Sequence, residues 1–203
     1  MHAHKDEYLT AKKEFEFLVQ ELILRISEWD AGIPLYEPKH CMFRFNRDIR
    51  FTDNKAPYKE NFGAWISYGG KKSNLPGYYF NLSPKEIFVA GGVWHPEAEE
   101  LKNIRRYIMD EGDTLQKILS EKKFKKAFTG LNEGEKLKRP PKGFPPDHQF
   151  MDFLKFKSFT ASAPLTTEDA LSKNFGKKID EHFKLLKPLN QFLKKAVSDQ
   201  TIS

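Results

Sequence analysis

Residues 62–93, FGAWISYGGKKSNLPGYYFNLSPKEIFVAGGV, decide the fold class because apolar residues alternate there with polar or small ones. This period of two predicts strands over Phe62–Tyr68, Tyr78–Leu82 and Glu86–Val93. Glycine and proline residues mark the first connection, and Ser83-Pro84-Lys85 forms the second. Short connections join antiparallel neighbours, so the stretch predicts an antiparallel meander.

A long helix is predicted on the N-terminal side of the meander. Apolar residues recur at three- and four-residue steps over residues 6–30, and Gly32 followed by Pro34 marks the end of the helix. Cys41, Phe43 and Phe45 then alternate with polar neighbours, which predicts one more strand before the meander.

The second half of the chain shows mainly helical periodicity. Pro96 is predicted at a first helical position, and the helix that follows is predicted to end at Gly112. The other predicted elements are helices over 113–129, after Asp147 and over 166–199 with interruptions at Gly176 and Pro188, an irregular loop over 138–146 and a strand at Phe159–Ala163. We therefore expect a single α+β domain over residues 1–203, with an antiparallel sheet formed mainly by residues 41–93 and packed against an N-terminal helix and several C-terminal helices.

The composition excludes two broad classes of protein. With 39% hydrophobic, 14% aromatic and 31% charged residues, the chain is too apolar for a disordered protein and too charged for a membrane protein. The longest apolar run, Ile87–Trp94, has eight residues, whereas a bilayer needs about 20. The polar start Met1–Asp6 predicts no secretory leader. Because the single cysteine, Cys41, cannot pair internally, we expect a cytoplasmic location.

The formal net charge of +6 is concentrated in the C-terminal half. Lys117–Lys142 carries nine basic and three acidic residues, a net of +6, and Lys173–Lys195 carries seven and two, a net of +5. The remaining residues therefore sum to −5. Such asymmetry favours polyanions or phosphorylated ligands as partners, and the alternative is that both segments are solvated helix faces.

The segment Arg44–Lys59 carries the densest set of polar side chains. Arginine binds phosphate or carboxylate through two parallel hydrogen bonds, so the segment predicts an anion-binding cleft. An internal Arg–Asp network that holds an irregular loop against the sheet is the structural alternative. The residues predicted to bind the ligand are Arg44, Arg47, Arg50, Lys55 and Lys59, with Lys138, Arg139 and Lys142 as a second wall.

Catalysis, metals and cofactors have weaker signals. If the protein is an enzyme, the candidates for proton transfer are Asp48, Tyr58 and His148. Six scattered histidines and one cysteine form no known zinc-ligand spacing, so no metal is predicted. Gly91-Gly92 precedes a helix, but neither nucleotide-binding fingerprint is present, and no cofactor is predicted.

Two further functions stay open. A nucleic-acid-binding module is suggested by the pI of about 9.2 and by lysines that alternate with phenylalanines around Phe153–Phe159. The three-residue spacing of these rings suits a buried helix face better than a stacking surface. The other alternative is a subunit that pairs with a second chain, in which the arginine network is structural. The sequence does not specify an oligomeric state.

Several of these motifs occur together in one known family. The chain resembles the domain of unknown function 2461, a bacterial and fungal group of conserved hypothetical proteins. The resemblance covers essentially the whole chain, but it implies no activity, substrate or catalytic residue. Related sequences look as though they have an upstream segment where Met1-His2 stands here, which leaves two alternatives open: the gene start is miscalled, or this member lacks the family's N-terminal segment. The matching stretches are Arg44–Lys59, Tyr78–Trp94, Ile104-Arg105, Leu137–Phe144 and Asp147-His148.

Overall fold

The computed structural model describes residues 5–44, 59–134 and 136–198. A long helix comes first, followed by three strands, a group of helices, a fourth strand and further helices, and this order confirms the predicted α+β class. The elements are α1 Lys5–Trp29, α2 Pro38–Cys41, β1 Phe62–Ser67, β2 Gly77–Leu82, β3 Ile87–Val93, α3 Ala98–Ser120, α4 Lys122–Phe128, α5 Met151–Leu154, β4 Phe159–Leu165, α6 Thr167–Ala170 and α7 Phe175–Ser198.

The four strands form one antiparallel sheet in the order β1-β2-β3-β4. The predicted meander is confirmed by β1 to β3, and Gly70 supplies the positive φ of 78° in the first connection. The strand predicted at Phe159–Ala163 is confirmed as β4, which pairs with β3 along its whole length. The sheet therefore extends beyond residues 41–93, to which the sequence mainly assigned it.

Helices α1 and α7 cover one face of the sheet, here called the inner face. Phe15 of α1 stacks on Phe80 with ring centroids 5.8 Å apart. Phe183 of α7 contacts Tyr78 at 5.2 Å. A Cβ added to Gly91 would lie 2.9 Å from Leu186, so glycine lets α7 approach β3 closely. Helix α3 packs on α7 and forms the next layer. The hydrophobic core lies between these helices and the sheet.

The opposite face of the sheet, here called the outer face, carries no charged side chain at its strand positions. Side chains alternate between the two faces along a strand, and directly paired residues share a face. The register therefore defines the outer face as Gly63, Trp65, Ser67, Gly77, Tyr79, Asn81, Phe88, Ala90, Gly92, Thr160, Ser162 and Pro164.

The segment before β1 differs from the prediction. The strand predicted from Cys41 to Phe45 is wrong where the structure describes it, because Pro38–Cys41 forms one helical turn. Pro38 takes the first helical position, where its missing N–H costs nothing, and the Met42 N–H donates to its carbonyl at 2.9 Å. Only an isolated bridge joins Met42 to Ala64 of β1.

The long helix α3 starts later and ends later than predicted. Glu97 is its N-cap, in a reciprocal capping box with Glu100, so Pro96 precedes the helix rather than opening it. The helix continues through Gly112 with a local distortion at Glu111, where φ is −116°. A Cβ at Gly112 would lie 2.1 Å from the Phe150 ring, so this glycine permits close packing and does not end the helix.

The predicted helical stretch 166–199 is interrupted once, at residues 171–174 between α6 and α7, and Gly176 follows as the second residue of α7, against the Glu21 side chain of α1. The interruption predicted at Pro188 is wrong, because this exposed proline lies inside α7. Proline removes one backbone hydrogen bond from a helix. The apolar face of α7 is buried along its whole length, including Phe183, Leu186 and Leu189 on both sides of the proline. This burial keeps the helix continuous.

Candidate functional site

Tyr79 is the central ring in a group of three aromatic rings on the outer face. The Tyr79 ring contacts Phe43 at 6.0 Å and Phe88 at 5.6 Å between centroids. Phe43 precedes β1 and is 40% exposed, while Tyr79 and Phe88 are half-buried. Trp65, also half-buried, lies directly opposite Tyr79 in the register. The β1 side of the outer face therefore presents a patch of rings.

Amide groups hold the central ring of this patch in position. Asn81 is 3% exposed, and its Oδ1 accepts from Asn61 Nδ2 at 3.1 Å and from the Tyr79 phenol at 3.4 Å. The Asn81 Nδ2 group donates to the Glu86 carbonyl at 3.1 Å. Burial, and then the charge of Glu86, raise the pKa of Tyr79. The phenol therefore stays a neutral hydrogen-bonding group at physiological pH.

Two exposed basic residues lie beside the ring patch. The Phe43 N–H donates to the Gly63 carbonyl at 2.9 Å, which brings Arg44 to the outer edge of β1 near its first residue. Lys59 precedes the same end of β1 and is also exposed. The remaining predicted ligand-binding residues of this segment, Arg47, Arg50 and Lys55, and the proton-transfer candidates Asp48 and Tyr58 lie outside the described residues.

The predicted second wall, Lys138, Arg139 and Lys142, is exposed in a loop at the other side of the sheet. The Leu137 N–H donates to the Lys155 carbonyl at 2.8 Å, four residues before β4 begins. In the register β4 is the edge strand opposite β1, and it begins at the sheet end remote from Phe62. Among the described residues, the two basic groups therefore do not converge on one cleft.

The candidate acid–base residue His148 contacts Phe150, two residues along the chain, through both its ring nitrogen and its ring. Its Nδ1 accepts a hydrogen bond from the Phe150 N–H at 3.2 Å, and its ring contacts the Phe150 ring. That bond leaves only Nε2 for proton transfer. Since Asp48 and Tyr58 lie outside the described residues, their role with His148 stays a prediction.

A buried polar cluster was missed at the sequence level. Asp30, directly after α1, is 4% exposed, and its Oδ2 accepts from the phenols of Tyr68 and Tyr78, each at 2.7 Å. Asn190 of α7 is fully buried and donates to the Gly77 carbonyl at 2.9 Å. No sequence signal points to this cluster, because its hydrogen-bonded partners lie 38, 48 and 113 residues apart in the chain.

A second buried carboxylate joins α1 to α7. Asp180 is 2% exposed, and it accepts from Trp29 Nε1 at 2.8 Å and pairs with Lys184 at 2.7 Å. Lys187 donates to the Trp29 carbonyl, the last of α1. These bonds satisfy the end of a helix, so the cluster has a structural role.

Two negative findings apply to the described part of the chain. No group of three or more histidine, cysteine, aspartate or glutamate side chains there has the arrangement of a metal site. None of the helices in those ranges combines the length and the apolar composition needed to cross a bilayer.

Comparisons with known proteins give one match. The model of a family described as "Conserved hypothetical protein (DUF2461)" matches residues 1–192. No curated protein and no solved structure is significantly similar to the chain. The match carries a family name without an assigned activity, so any function must be argued from the side chains of this chain.

Proposed function

The chain belongs to the DUF2461 family of conserved hypothetical proteins, and from this premise we propose that it binds a phosphorylated ligand that carries a planar ring. The ligand lies on the outer face beside β1. Its ring packs against Tyr79 and the rings around it, and its phosphate meets Arg44 and Lys59. This proposal keeps the predicted anionic ligand and the cytoplasmic location, and it adds the ring.

One observation carries the proposal: among the described residues, the strand positions of the outer face carry no charged side chain and bear contacting rings. A solvent-facing antiparallel sheet usually places polar side chains outward. Here Trp65, Tyr79 and Phe88 point outward instead, and Phe43 extends the ring patch beyond the edge of β1. Partly exposed aromatic groups with fixed orientation supply stacking surface at little cost in conformational entropy.

The charge next to the rings selects an anion. Arg44 and Lys59 are exposed at the same end of β1, and the neighbouring Glu60 pairs with Lys85 at 2.9 Å. A guanidinium group binds a phosphate through two parallel hydrogen bonds and keeps its charge at any physiological pH. A ligand that has both a ring and a phosphate uses both features of this edge.

Calorimetric titration with ADP, adenosine and pyrophosphate tests the proposal. We expect ADP to bind more tightly than either half, because only ADP engages both the rings and the cations. Tyr79→Leu should weaken ADP binding by roughly 5- to 150-fold, since one stacked ring contributes about 1–3 kcal/mol. Lys59→Glu should weaken it by at least about fivefold, because a carboxylate there repels the phosphates.

The controls use residues of the same type elsewhere. Phe17→Leu removes a 76% exposed ring on α1, and Lys102→Glu reverses an exposed charge on α3. Neither should change ADP binding. If the controls weaken it as much as the site variants do, or if ADP does not bind, the proposal is wrong. Because Lys59 is exposed, its variant remains informative even if Tyr79→Leu unfolds.

A second candidate function is that of an interaction subunit. Helix α1 exposes Leu9, Phe17 and Leu24 by 41%, 76% and 51%, at seven- and eight-residue steps that bring them to one side of the helix. Sedimentation of the wild type and of Phe17→Glu tests it. An oligomer that Phe17→Glu dissociates supports this candidate, and a wild-type monomer excludes self-association through this helix.

A further inference from the structure

Two exposed basic groups lie at diagonally opposite corners of the sheet. Arg44 and Lys59 flank β1 at the end that begins with Phe62, and the loop of Lys138, Arg139 and Lys142 is anchored just before β4. In the register Phe62 and Leu165 share one end of the sheet. β4 therefore begins at the end remote from Phe62 and on the opposite edge.

From this placement we infer that the ligand is a strand of single-stranded nucleic acid that crosses the outer face from one basic corner to the other. The inference rests on the proposed function, because the ring patch beside β1 is the first part of the same track. It goes beyond that function by giving the basic loop at β4 a part in binding.

The length of the track fits an oligonucleotide and exceeds a mononucleotide. Three strand spacings of about 4.8 Å and five residue steps of about 3.3 Å give a diagonal of roughly 22 Å. A track of that length holds on the order of four nucleotides, the lower limit of known single-strand sites. A mononucleotide can reach only one of the two basic corners.

The surface between the corners suits such a strand chemically. It carries no carboxylate at any of its strand positions, and Glu86, in the turn before β3, is the acidic residue whose charge reaches Tyr79. Next to β4, Asn132 accepts from Ser162 at 2.9 Å and donates to Thr160 at 3.0 Å, which places amide and hydroxyl groups along the track. Unpaired bases stack on rings and form hydrogen bonds with such groups, whereas the faces of duplex bases are stacked on one another and do not reach protein rings.

An exposed tryptophan adds a ring at the far corner. Trp94 directly follows β3 and is 73% exposed. The N–H of the next residue, His95, donates to Ser158 Oγ at 3.0 Å, immediately before β4. Trp94 therefore lies at the same end of the sheet as the basic loop. Exposed rings next to cations are typical of proteins that bind single strands without sequence preference.

Fluorescence anisotropy with oligonucleotides from a dinucleotide to a dodecanucleotide tests the inference. Ribose and deoxyribose series are both titrated, and length-dependent binding of either supports the proposal. We expect affinity to rise by at least about tenfold from the dinucleotide to the octanucleotide and then to level off. A duplex of the same sequence should bind more weakly than the single strand.

Charge reversal separates the two corners. The triple variant Lys138→Glu, Arg139→Glu and Lys142→Glu should weaken dodecanucleotide binding by at least about tenfold and leave dinucleotide binding unchanged. Its slope of log affinity against log salt should fall in magnitude by about 2, since each lost phosphate contact of a single strand removes about 0.7. The control reverses three exposed basic residues of the same types on α3, Lys102, Arg106 and Lys117.

The outcomes distinguish this inference from the proposed function. Affinity that does not depend on length, equal binding of the duplex, or equal losses in the loop variant and its control would overturn the inference while ADP binding at the β1 edge still stands. If neither ADP nor any oligonucleotide binds, both are wrong.

Discussion

Tyr78 donates a hydrogen bond from its phenol to Asp30 Oδ2 at 2.7 Å, across 48 residues of the chain. Tyr78 is fully buried, and Asp30 is 4% exposed. Tyr68 donates to the same oxygen at 2.7 Å. A single carboxylate oxygen thus links the end of α1 to β2 and to the residue after β1, and it ties the helices to the inner face of the sheet.

This cluster predicts a loss of stability at alkaline pH. Burial, and then the hydrogen bond to Asp30, raise the pKa of both Tyr68 and Tyr78 above the unfolded value of about 10. The stabilisation from a raised folded-state pKa is complete below the unfolded value and is lost as the pH rises through the folded one. We expect each phenol to lower the free energy of unfolding by up to about 1.4 kcal/mol per pH unit above about pH 10.

Urea unfolding at a series of alkaline pH values measures this slope. Tyr68→Phe should remove the contribution of one phenol and make the slope shallower, even if it lowers the stability at neutral pH. A variant slope equal to that of the wild type would show that Tyr68 ionises equally in the folded and unfolded states.

The only cysteine should be protected from reagents in the folded protein. Cys41 is fully buried at the end of α2, and burial raises the pKa of its thiol to about 11. Because only the thiolate reacts, we expect negligible labelling by a disulfide reagent at neutral pH and complete labelling in denaturant. Rapid labelling of the native protein would mean that the segment around α2 opens readily.

The sequence predicted those parts of the fold that depend on local patterns. The meander was predictable because its alternation and its turns lie within residues 62–93. The continuity of α7 was not, because the burial that keeps it helical through Pro188 comes from distant elements. The turn at Pro38–Cys41 was missed since the alternation at Cys41 and Phe43 outweighed the proline signal.

The candidate site was less predictable than the fold. The basic residues could be selected by type, but their separation onto opposite corners depends on β4 pairing with β3, which no local pattern specifies. The ring patch was missed because Phe43, Tyr79 and Phe88 come together only through the sheet register. Asp30 gave no signal at all, since its partners are remote in sequence.

Gly92 should not tolerate a side chain. Its φ is 117°, and a Cβ there would lie 2.0 Å from the Phe159 carbonyl oxygen of the paired strand. Gly92→Ala should therefore cost at least about 2 kcal/mol of unfolding free energy, because the backbone is strained and β4 must move away. Gly134→Ala is the control, since its added Cβ would meet no described residue beyond its chain neighbours within 4 Å, and it should change stability by less than about 0.5 kcal/mol. Equal melting temperatures of the two variants would contradict the close approach of β3 and β4.

Among the basic residues of α3, Arg105 is the one whose loss should destabilise the protein most. It is 9% exposed, and its guanidinium donates to the carbonyls of Leu154 at 2.7 Å and Phe156 at 3.1 Å. Burial lowers its pKa, but a guanidinium stays charged at physiological pH. Arg105→Met keeps much of the side-chain volume and leaves both carbonyls without these donors, so we expect a loss of about 2–4 kcal/mol in chemical denaturation.

The neighbouring Arg106 is exposed and gives the matched control, because Arg106→Met should cost less than about 0.5 kcal/mol. Hydrogen exchange locates the effect. Phe156 forms an isolated β-bridge with Lys136, and the N–H of the next residue, Leu137, donates to the Lys155 carbonyl at the base of the basic loop. Arg105→Met should therefore speed hydrogen exchange at the Leu137 N–H. If exchange there stays at the wild-type rate while the protein is destabilised, Arg105 stabilises the helices without anchoring the loop.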